Sequence, residues 1–198
     1  MAWIDAMPRM QHANDAERMM HMNTPDLWIH PISLPEIAPP RTQTVDGNLY
    51  SVYRSRWRPE QPDALLLTRY QGTEESFILP DRVGYMRVIA IGAGAVSNAR
   101  SLRSFSVPSG CVCVGDHAFF QCTQLTDVIL PDTLQSIGNY AFAGCRSLQS
   151  IRVPSTIRQI GKDAFQGCKD LVIQGKAGSV AHRYADAHGI PFTATDAG

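Results

Sequence analysis

Residues 134–154 read LQSIGNYAFAGCRSLQSIRVP, and the same arrangement of residue types returns along the chain every 23 residues. Four columns of identical residues carry this period. They are Gly92, Gly115, Gly138 and Gly161; Ala95, Ala118, Ala141 and Ala164; Phe119, Phe142 and Phe165; and Leu102, Leu125, Leu148 and Leu171. Self-similarity at a fixed period of this length is typical of stacked repeat architectures. The sequence therefore predicts a stack of coils, each built from one 23-residue unit.

Each unit divides into two apolar pieces separated by a turn. In the quoted unit the first piece covers 134–138, and 139–144 is predicted to form a short helical or 3₁₀ turn that buries Phe142. The second piece, 148–154, has the alternation of a half-buried strand and ends at Pro154, which cannot donate to a β-ladder. Because one unit cannot bury its own apolar face, neighbouring units must stack, at about 4.8 Å per coil.

Three consecutive stretches share one motif, apolar-x-x-I-G-x-x-A-F-x-x-C-x-x-L-x-x-I-x-I-P. They are VCVGDHAFFQCTQLTDVILP (112–131), LQSIGNYAFAGCRSLQSIRVP (134–154) and IRQIGKDAFQGCKDLVI (157–173). These stretches resemble the BspA-like leucine-rich repeats. The resemblance continues into 67–94, which is similar to the family's opening unit. That unit has five extra residues, so Pro80 precedes Pro108 by 28 residues.

Downstream, 178–192 is similar to the closing helix of the same family, with Ser179 as N-cap and Gly189 as left-handed C-cap. The resemblance implies an α/β-type repeat solenoid, a short right-handed leucine-rich-repeat solenoid of about four coils with a β lead-in and a C-terminal helical cap. The expected division is 1–44, a Met- and Pro-rich arm or cap; 45–76, the β lead-in; 77–192, the solenoid with its closing helix at 178–189; and 193–198, a tail.

The five cysteines fit the repeat better than a disulfide framework, because their number is odd and they cluster in one region. Cys122, Cys145 and Cys168 form one column, and Cys111 stands where later units have an aliphatic residue. Only Cys113 lies off the apolar columns. Side chains of one column point the same way, so we expect free buried thiols, no metal site and no cofactor.

No catalytic motif stands out, and the composition excludes several function classes. The chain contains no His-Glu-x-x-His, no Gly-x-Ser-x-Gly and no phosphate-binding loop, so we expect no enzyme. Lysine plus arginine total 18 and aspartate plus glutamate 18, a balance that argues against nucleic acid as a partner. No run approaches the roughly 20 apolar residues of a membrane span, and no export signal is visible at the N-terminus.

The candidate binding site lies on the outward positions of the second apolar piece. Asp127 and Ile129 in one unit align with Ser150 and Arg152 in the next, and all four are expected to face solvent. Stacked rows of this kind form the surface that repeat proteins use to bind partners. The alternative is a solvated sheet face with an internal pair between Asp127 and Arg152.

The Met- and Pro-rich arm is too apolar for an idle linker. The residues expected to make its contacts if it docks on a partner are Met19, Met20, Trp28, Ile32 and Leu34. One interpretation is that the arm folds back to cap the open end of the solenoid, as terminal elements of repeat proteins must. The other is that it docks on a second subunit, which would make the chain an oligomer through the arm.

The stretch YSVYRSRWR, 50–58, predicts a strand with Arg54, Arg56 and Arg58 on one face. Two interpretations stay open: the arginines grip phosphate or carboxylate beside Trp57, or they face water while the aromatic face packs on the first coil.

Functional expectations come from the resemblance. Proteins with these repeats are mostly bacterial surface or secreted proteins that mediate adhesion or protein binding without cofactors. We therefore expect a non-enzymatic protein-binding or adhesion module. The alternative is a structural or display component of a larger assembly, such as a phage tail or appendage, anchored by the arm. The compartment stays open, because the resemblance implies a cell surface or secretion whereas the missing export signal is compatible with a virion or the cytoplasm.

Overall fold

The computed structural model describes residues 42–53 and 64–195. Strands and one helix alternate with turns along this part of the chain. In chain order they are β1 Thr42–Val45, β2 Asn48–Tyr53, β3 Ala64–Arg69, β4 Ser76–Ile78, β5 Arg82–Val83, β6 Met86–Ile91, β7 Ser104–Ser106, β8 Cys113–Val114, β9 Asp127–Ile129, β10 Ser136–Ile137, β11 Ser150–Arg152, β12 Gln159–Ile160, β13 Val172–Gly175, α1 Val180–His188 and β14 Phe192–Ala194.

The strands form two faces of a solenoid. One face is a sheet in the order β1-β2-β3-β6-β8-β10-β12, with β5 paired to β6. Its pairs are antiparallel from β1 to β3 and parallel from β3 to β12. The other face consists of two parallel three-stranded sheets, β4-β7-β9 and β11-β13-β14. The apolar core lies between the two faces.

The 23-residue period is the register of the stack. Ser136 pairs with Cys113 on one side and with Gln159 on the other, so equivalent residues of successive units lie side by side. The predicted leucine-rich-repeat solenoid with a C-terminal helical cap is therefore confirmed.

The coil count differs from the expectation, because the solenoid has about six turns rather than about four. The 23-residue columns reveal only the inner turns. The first turn, which contains β3 and β4, is lengthened by a hairpin, and the last contains α1 in place of a short turn. Both end turns therefore lack the 23-residue period, although they stack on the inner turns.

Successive turns, not a helix, connect the two faces within each inner coil. The predicted short helix at 139–144 does not form, because Tyr140 has φ 54° and Gly144 has φ 79°. Left-handed residues at these two places interrupt any right-handed helix. Phe142 is nevertheless fully buried between them, as predicted.

The glycine column marks where coils approach each other most closely. A Cβ atom on Gly138 would lie 2.5 Å from the backbone nitrogen of Asp116 and 2.6 Å from the carbonyl carbon of Gly115. The equivalent Cβ on Gly115 would lie 2.8 Å from the carbonyl carbon of Gly92. Only glycine fits at these contacts without moving backbone.

An aromatic column runs through the core along the stack. The rings of Phe119 and Phe142 are nearly parallel with centroids 5.0 Å apart, and those of Phe142 and Phe165 are 5.3 Å apart. Edge-on contacts end the column, from Phe105 to Phe119 and from Phe165 to Tyr184. Tyr184 belongs to α1, so the closing helix continues the core of the repeats.

The cap of α1 has the residues that the sequence predicts. The Ser179 side chain accepts a hydrogen bond from the backbone N–H of His182, and Gly189 adopts a left-handed conformation with φ 65°. Ala181 and Ala185 are buried against the last coil together with Tyr184. The helix therefore covers the open C-terminal end of the apolar core.

Candidate functional site

The outward residues of the second face form two rows across the strands β4, β7, β9 and β11. In the first row, Ile78 pairs with Ser106 and Ser106 with Ile129. Ile78 is 74% exposed and Ile129 61% exposed, which is high for large apolar side chains. Arg152 takes the next place in this row by the 23-residue period and is also exposed. We call these four residues the outer row.

The second row is polar. Ser76 pairs with Ser104, and Ser104 pairs with Asp127. The Asp127 carboxylate accepts a hydrogen bond from the Thr126 hydroxyl at 2.6 Å. Ser150 follows Asp127 by the repeat period and is exposed. We call Ser76, Ser104, Asp127 and Ser150 the inner row.

The two three-stranded sheets of this face are not joined to each other. Within the first sheet, the N–H of Val107 donates to the carbonyl of Ile129 at 3.0 Å. Within the part of the chain that the structure describes, the equivalent Leu130 N–H makes no backbone hydrogen bond to Arg152. The face is thus interrupted between β9 and β11, whereas the opposite sheet is continuous through β8, β10 and β12.

The four residues predicted as a binding site therefore lie on one face, on both sides of this interruption. Asp127, Ile129, Ser150 and Arg152 are all exposed. The pair between Asp127 and Arg152 that the alternative interpretation requires is not among the ion pairs of residues 42–53 and 64–195. Both charged side chains are exposed on the face.

Ile78 belongs to the same face but was missed at the sequence level. Its unit is 28 residues long rather than 23, so the repeat alignment did not place it in the outer row. The signal that could have found it is the pattern Ser76-Phe77-Ile78 before Pro80. This pattern matches the strand and proline of the later units.

The other predicted contact residues lie outside the described residues. These are Met19, Met20, Trp28, Ile32 and Leu34 of the arm, and Arg54, Arg56, Trp57 and Arg58 of the stretch after β2. The two interpretations of the arm, as a cap on the solenoid and as a segment that docks on a subunit, both stay predictions.

The cysteines are free and buried, as the sequence predicts. The thiol of Cys145 donates to the carbonyl of Phe119, and that of Cys168 donates to the carbonyl of Phe142, each at 3.2 Å. Burial raises the pKa of Cys122 and of Cys168 to about 11. Because the thiolate is the reactive form, these thiols are poor nucleophiles. Their role is to pack in the apolar core.

Cys113, the one cysteine off the apolar columns, is also buried. It stands beside Ser136 in the ladder, and burial raises the pKa of its thiol although the Ser136 hydroxyl acts in the opposite direction. Among the residues that the structure describes, no group of three or more metal-ligating side chains comes together.

A cleft of about 370 Å³ lies between the last coil and α1. Lys169, Leu171, Tyr184 and His188 are among the residues that line it. The hydroxyl of Tyr184 itself is buried and not exposed to solvent. Because that hydroxyl is inaccessible from the cleft, it does not add a binding group there.

Fold and surface together define the class: a leucine-rich-repeat solenoid with an exposed parallel-strand face. A family model described as BspA type leucine-rich repeat region matches residues 85–173 in six copies. The repeats within 85–173 therefore match the BspA type, which confirms the resemblance. None of the curated proteins matches the chain.

Solved structures of bacterial repeat proteins share the fold. A leucine rich cell surface protein from Faecalibacterium prausnitzii has a TM-score of 0.62 and 25% identity, and the match covers 79% of this chain and 40% of that one. This chain therefore corresponds to less than half of that structure's length. A leucine-rich repeat protein from Bacteroides capillosus has a TM-score of 0.56 and 22% identity, with 67% and 97% covered.

A third structure, a leucine rich repeat protein from T. pallidum, has a TM-score of 0.50 and 27% identity, and the match covers 63% of this chain and 68% of that one. These similarities show that the leucine-rich-repeat solenoid is shared with bacterial repeat proteins. In the described part of the chain, no helix has both the length and the apolar character needed to cross a membrane.

Proposed function

We propose that this chain is a non-enzymatic protein-binding module whose partner contacts the outer and inner rows. The observation that carries the proposal is the exposure of two isoleucines, Ile78 and Ile129, in one row of a face that also presents the exposed charged side chains of Asp127 and Arg152. Apolar anchors beside charged groups are typical of the surfaces through which proteins bind one another.

The fold supports this surface in two ways. The inward neighbours of the rows, such as Phe105 and Ile151, are buried in the core, so the strands are held rigidly. The outward side chains of Ile78, Ile129 and Arg152 are exposed and therefore accessible to a partner. A rigid scaffold with free side chains lowers the entropic cost of binding.

The interruption between β9 and β11 leaves the two strands side by side, because they remain in contact although no ladder joins them. Ile129 and Arg152 therefore stay close to each other on this face, where one partner can contact both side chains.

Binding to a panel of purified extracellular matrix and cell-surface proteins, measured by surface plasmon resonance, tests the proposal. For any protein that binds the wild type, the triple variant D127S/I129S/R152S is expected to bind at least about tenfold more weakly, equivalent to about 1.4 kcal/mol. The loss follows from removing one apolar and two charged contacts at once.

A matched control removes one acidic and one basic side chain that are not part of the outer and inner rows. Asp170 and Arg146 are exposed on the turn side of the coils, and the double variant D170S/R146S is expected to bind as the wild type does. If the triple variant binds every partner with wild-type affinity, the two rows are not the binding surface.

A further inference from the structure

The five residues that lengthen the first unit form a β-hairpin. Pro80 and Pro108 hold equivalent places, and Ile91 pairs with Val114, so 81–85 has no counterpart in the later coils. This segment contains β5 and the turn to β6. Insertions into a repeat fall in loops that often form the binding face.

The hairpin is fixed to the core on one side only. Val83 pairs with Met86, and both side chains are buried. Gly84, with φ 61°, takes the first central position of the two-residue turn, as in a type II′ turn. The second central position accepts most residues, yet it holds Tyr85, which is 83% exposed. Neither the turn nor the core requires a tyrosine there.

The outer side of the hairpin carries two opposed positive charges. Arg82 pairs directly with Arg87, and both are exposed. Like charges at opposed positions of an antiparallel pair are destabilising. Arg82 donates to the backbone carbonyl of Tyr85 at 3.0 Å. In the described ranges of the chain neither arginine forms an ion pair, and the adjacent Asp81 is not paired with them.

We propose that the hairpin 81–87 is a second docking site, which binds an acidic segment of a protein partner. Two carboxylates of the segment neutralise Arg82 and Arg87, and a neighbouring side chain packs on Tyr85. Opposed residues of a hairpin have Cβ atoms about 5 Å apart, close to the roughly 6.6 Å between alternate residues of an extended peptide. Arginine also binds carboxylates through two parallel hydrogen bonds.

This site is separate from the outer and inner rows. The strands β5 and β6 belong to the sheet on the opposite face of the solenoid from β9 and β11. A negative result for the hairpin site therefore leaves the outer and inner rows untouched, and a negative result for the rows leaves the hairpin site untouched. Cross-strand repulsion in the free protein is relieved when an acidic segment binds, which favours the complex.

Fluorescence anisotropy with the full-length chain tests the site. The probe is a labelled hexapeptide of alternating serine and glutamate, and its control has glutamine in place of glutamate. We expect the acidic probe to bind at low ionic strength and the glutamine probe to bind at least tenfold more weakly. R82T and R87T are each expected to weaken binding of the acidic probe about tenfold, and Y85T several-fold.

The matched control is R146T, which removes an exposed arginine from a different coil and is expected to leave the affinity unchanged. The Tm of R82T and R87T provides a second measurement. It is expected to equal or exceed that of the wild type, because each change removes a repulsive pair. Lower Tm values for both variants would contradict the unfavourable pairing on which the site rests.

Three further outcomes overturn the proposal. One is equal weakening by R146T, which indicates unspecific attraction. Another is equal affinity for the acidic and glutamine probes. The third is tighter binding of a labelled single-stranded hexanucleotide than of the acidic peptide, which would assign the hairpin to nucleic acid.

Discussion

The backbone N–H of Asn139 donates to Oδ1 of Asp116, one coil away, at 2.7 Å, and the Asn139 amide group donates to Oδ2 of the same carboxylate at 3.2 Å. The pattern continues, since the N–H of Lys162 donates to Oδ1 of Asn139 at 2.8 Å. A side chain just after the glycine column therefore ties the coil of Asp116 to that of Asn139, and the coil of Asn139 to that of Lys162.

Asp116→Ala removes both acceptors from this ladder. Because hydrogen bonds to a charged acceptor contribute more than neutral ones, the free energy of unfolding is expected to fall by about 1 to 3 kcal/mol. Urea denaturation followed by circular dichroism measures the change. Lys162→Ala is the control: Lys162 uses only its backbone N–H in the ladder, so a similar loss in both variants would contradict the role of the side chain.

Gly138→Ala places a methyl group against the preceding coil. The Cβ atom would lie 2.5 Å from the backbone nitrogen of Asp116, which cannot move without shifting its coil, so a loss of about 3 kcal/mol or more is expected. At Gly110 the nearest atom is the Val88 carbonyl oxygen at 3.3 Å. Gly110→Ala is therefore expected to cost less than about 1 kcal/mol, and equal costs would show that the coils do not approach most closely at the glycine column.

Because the cysteine thiols are buried, we expect the protein to lose stability at high pH. Burial raises the pKa of Cys122 and Cys168 to about 11, whereas an unfolded cysteine titrates near about 8.5. The native state therefore keeps protons that the unfolded state loses. This stabilising contribution is complete below about pH 8.5 and is lost progressively as the pH rises to about 11.

Thermal unfolding of the wild type and of C122A/C168A between pH 7 and pH 10.5 checks this effect. The double variant is expected to have a lower Tm throughout but a flatter decline above pH 8.5. A decline of the same slope in both proteins would assign the pH dependence to other groups, such as the buried tyrosines.

The interruption between β9 and β11 predicts a difference between two equivalent backbone amides. The Val107 N–H is hydrogen-bonded to Ile129, whereas the Leu130 N–H has no such bond among the described residues. Hydrogen exchange followed by NMR is expected to show much faster exchange at Leu130 than at Val107. Similar protection at both positions would mean that the two sheets are joined in solution.

Much of the fold follows from the sequence, because a repeat fixes burial column by column. The positions of Gly138, Phe142 and Cys145 in the stack were predictable from the 23-residue period alone. The end turns were not, since the hairpin at 81–85 and the helix α1 break the period that identifies a coil. The left-handed conformation of Tyr140 has a signal only in its column, where Gly94, His117 and Asp163 are of types that favour this conformation and also have positive φ.

Part of the candidate site was also predictable from the sequence. Alternation along a strand placed Asp127, Ile129, Ser150 and Arg152 outward, and they are exposed. Ile78 and the interruption beside Ile129 were missed. The first lies in an irregular unit, and for the second no residue type in the repeat is a signal.

The proposed binding surface is tested most directly by hydrogen–deuterium exchange of the full chain with and without a protein that binds it. Slower exchange on binding is expected in 127–130 and 150–153, with no change in the turns at 139–144 on the other side of the coils. Slower exchange confined to those turns, with the strands β9 and β11 unaffected, would contradict the assignment of this face as the binding surface.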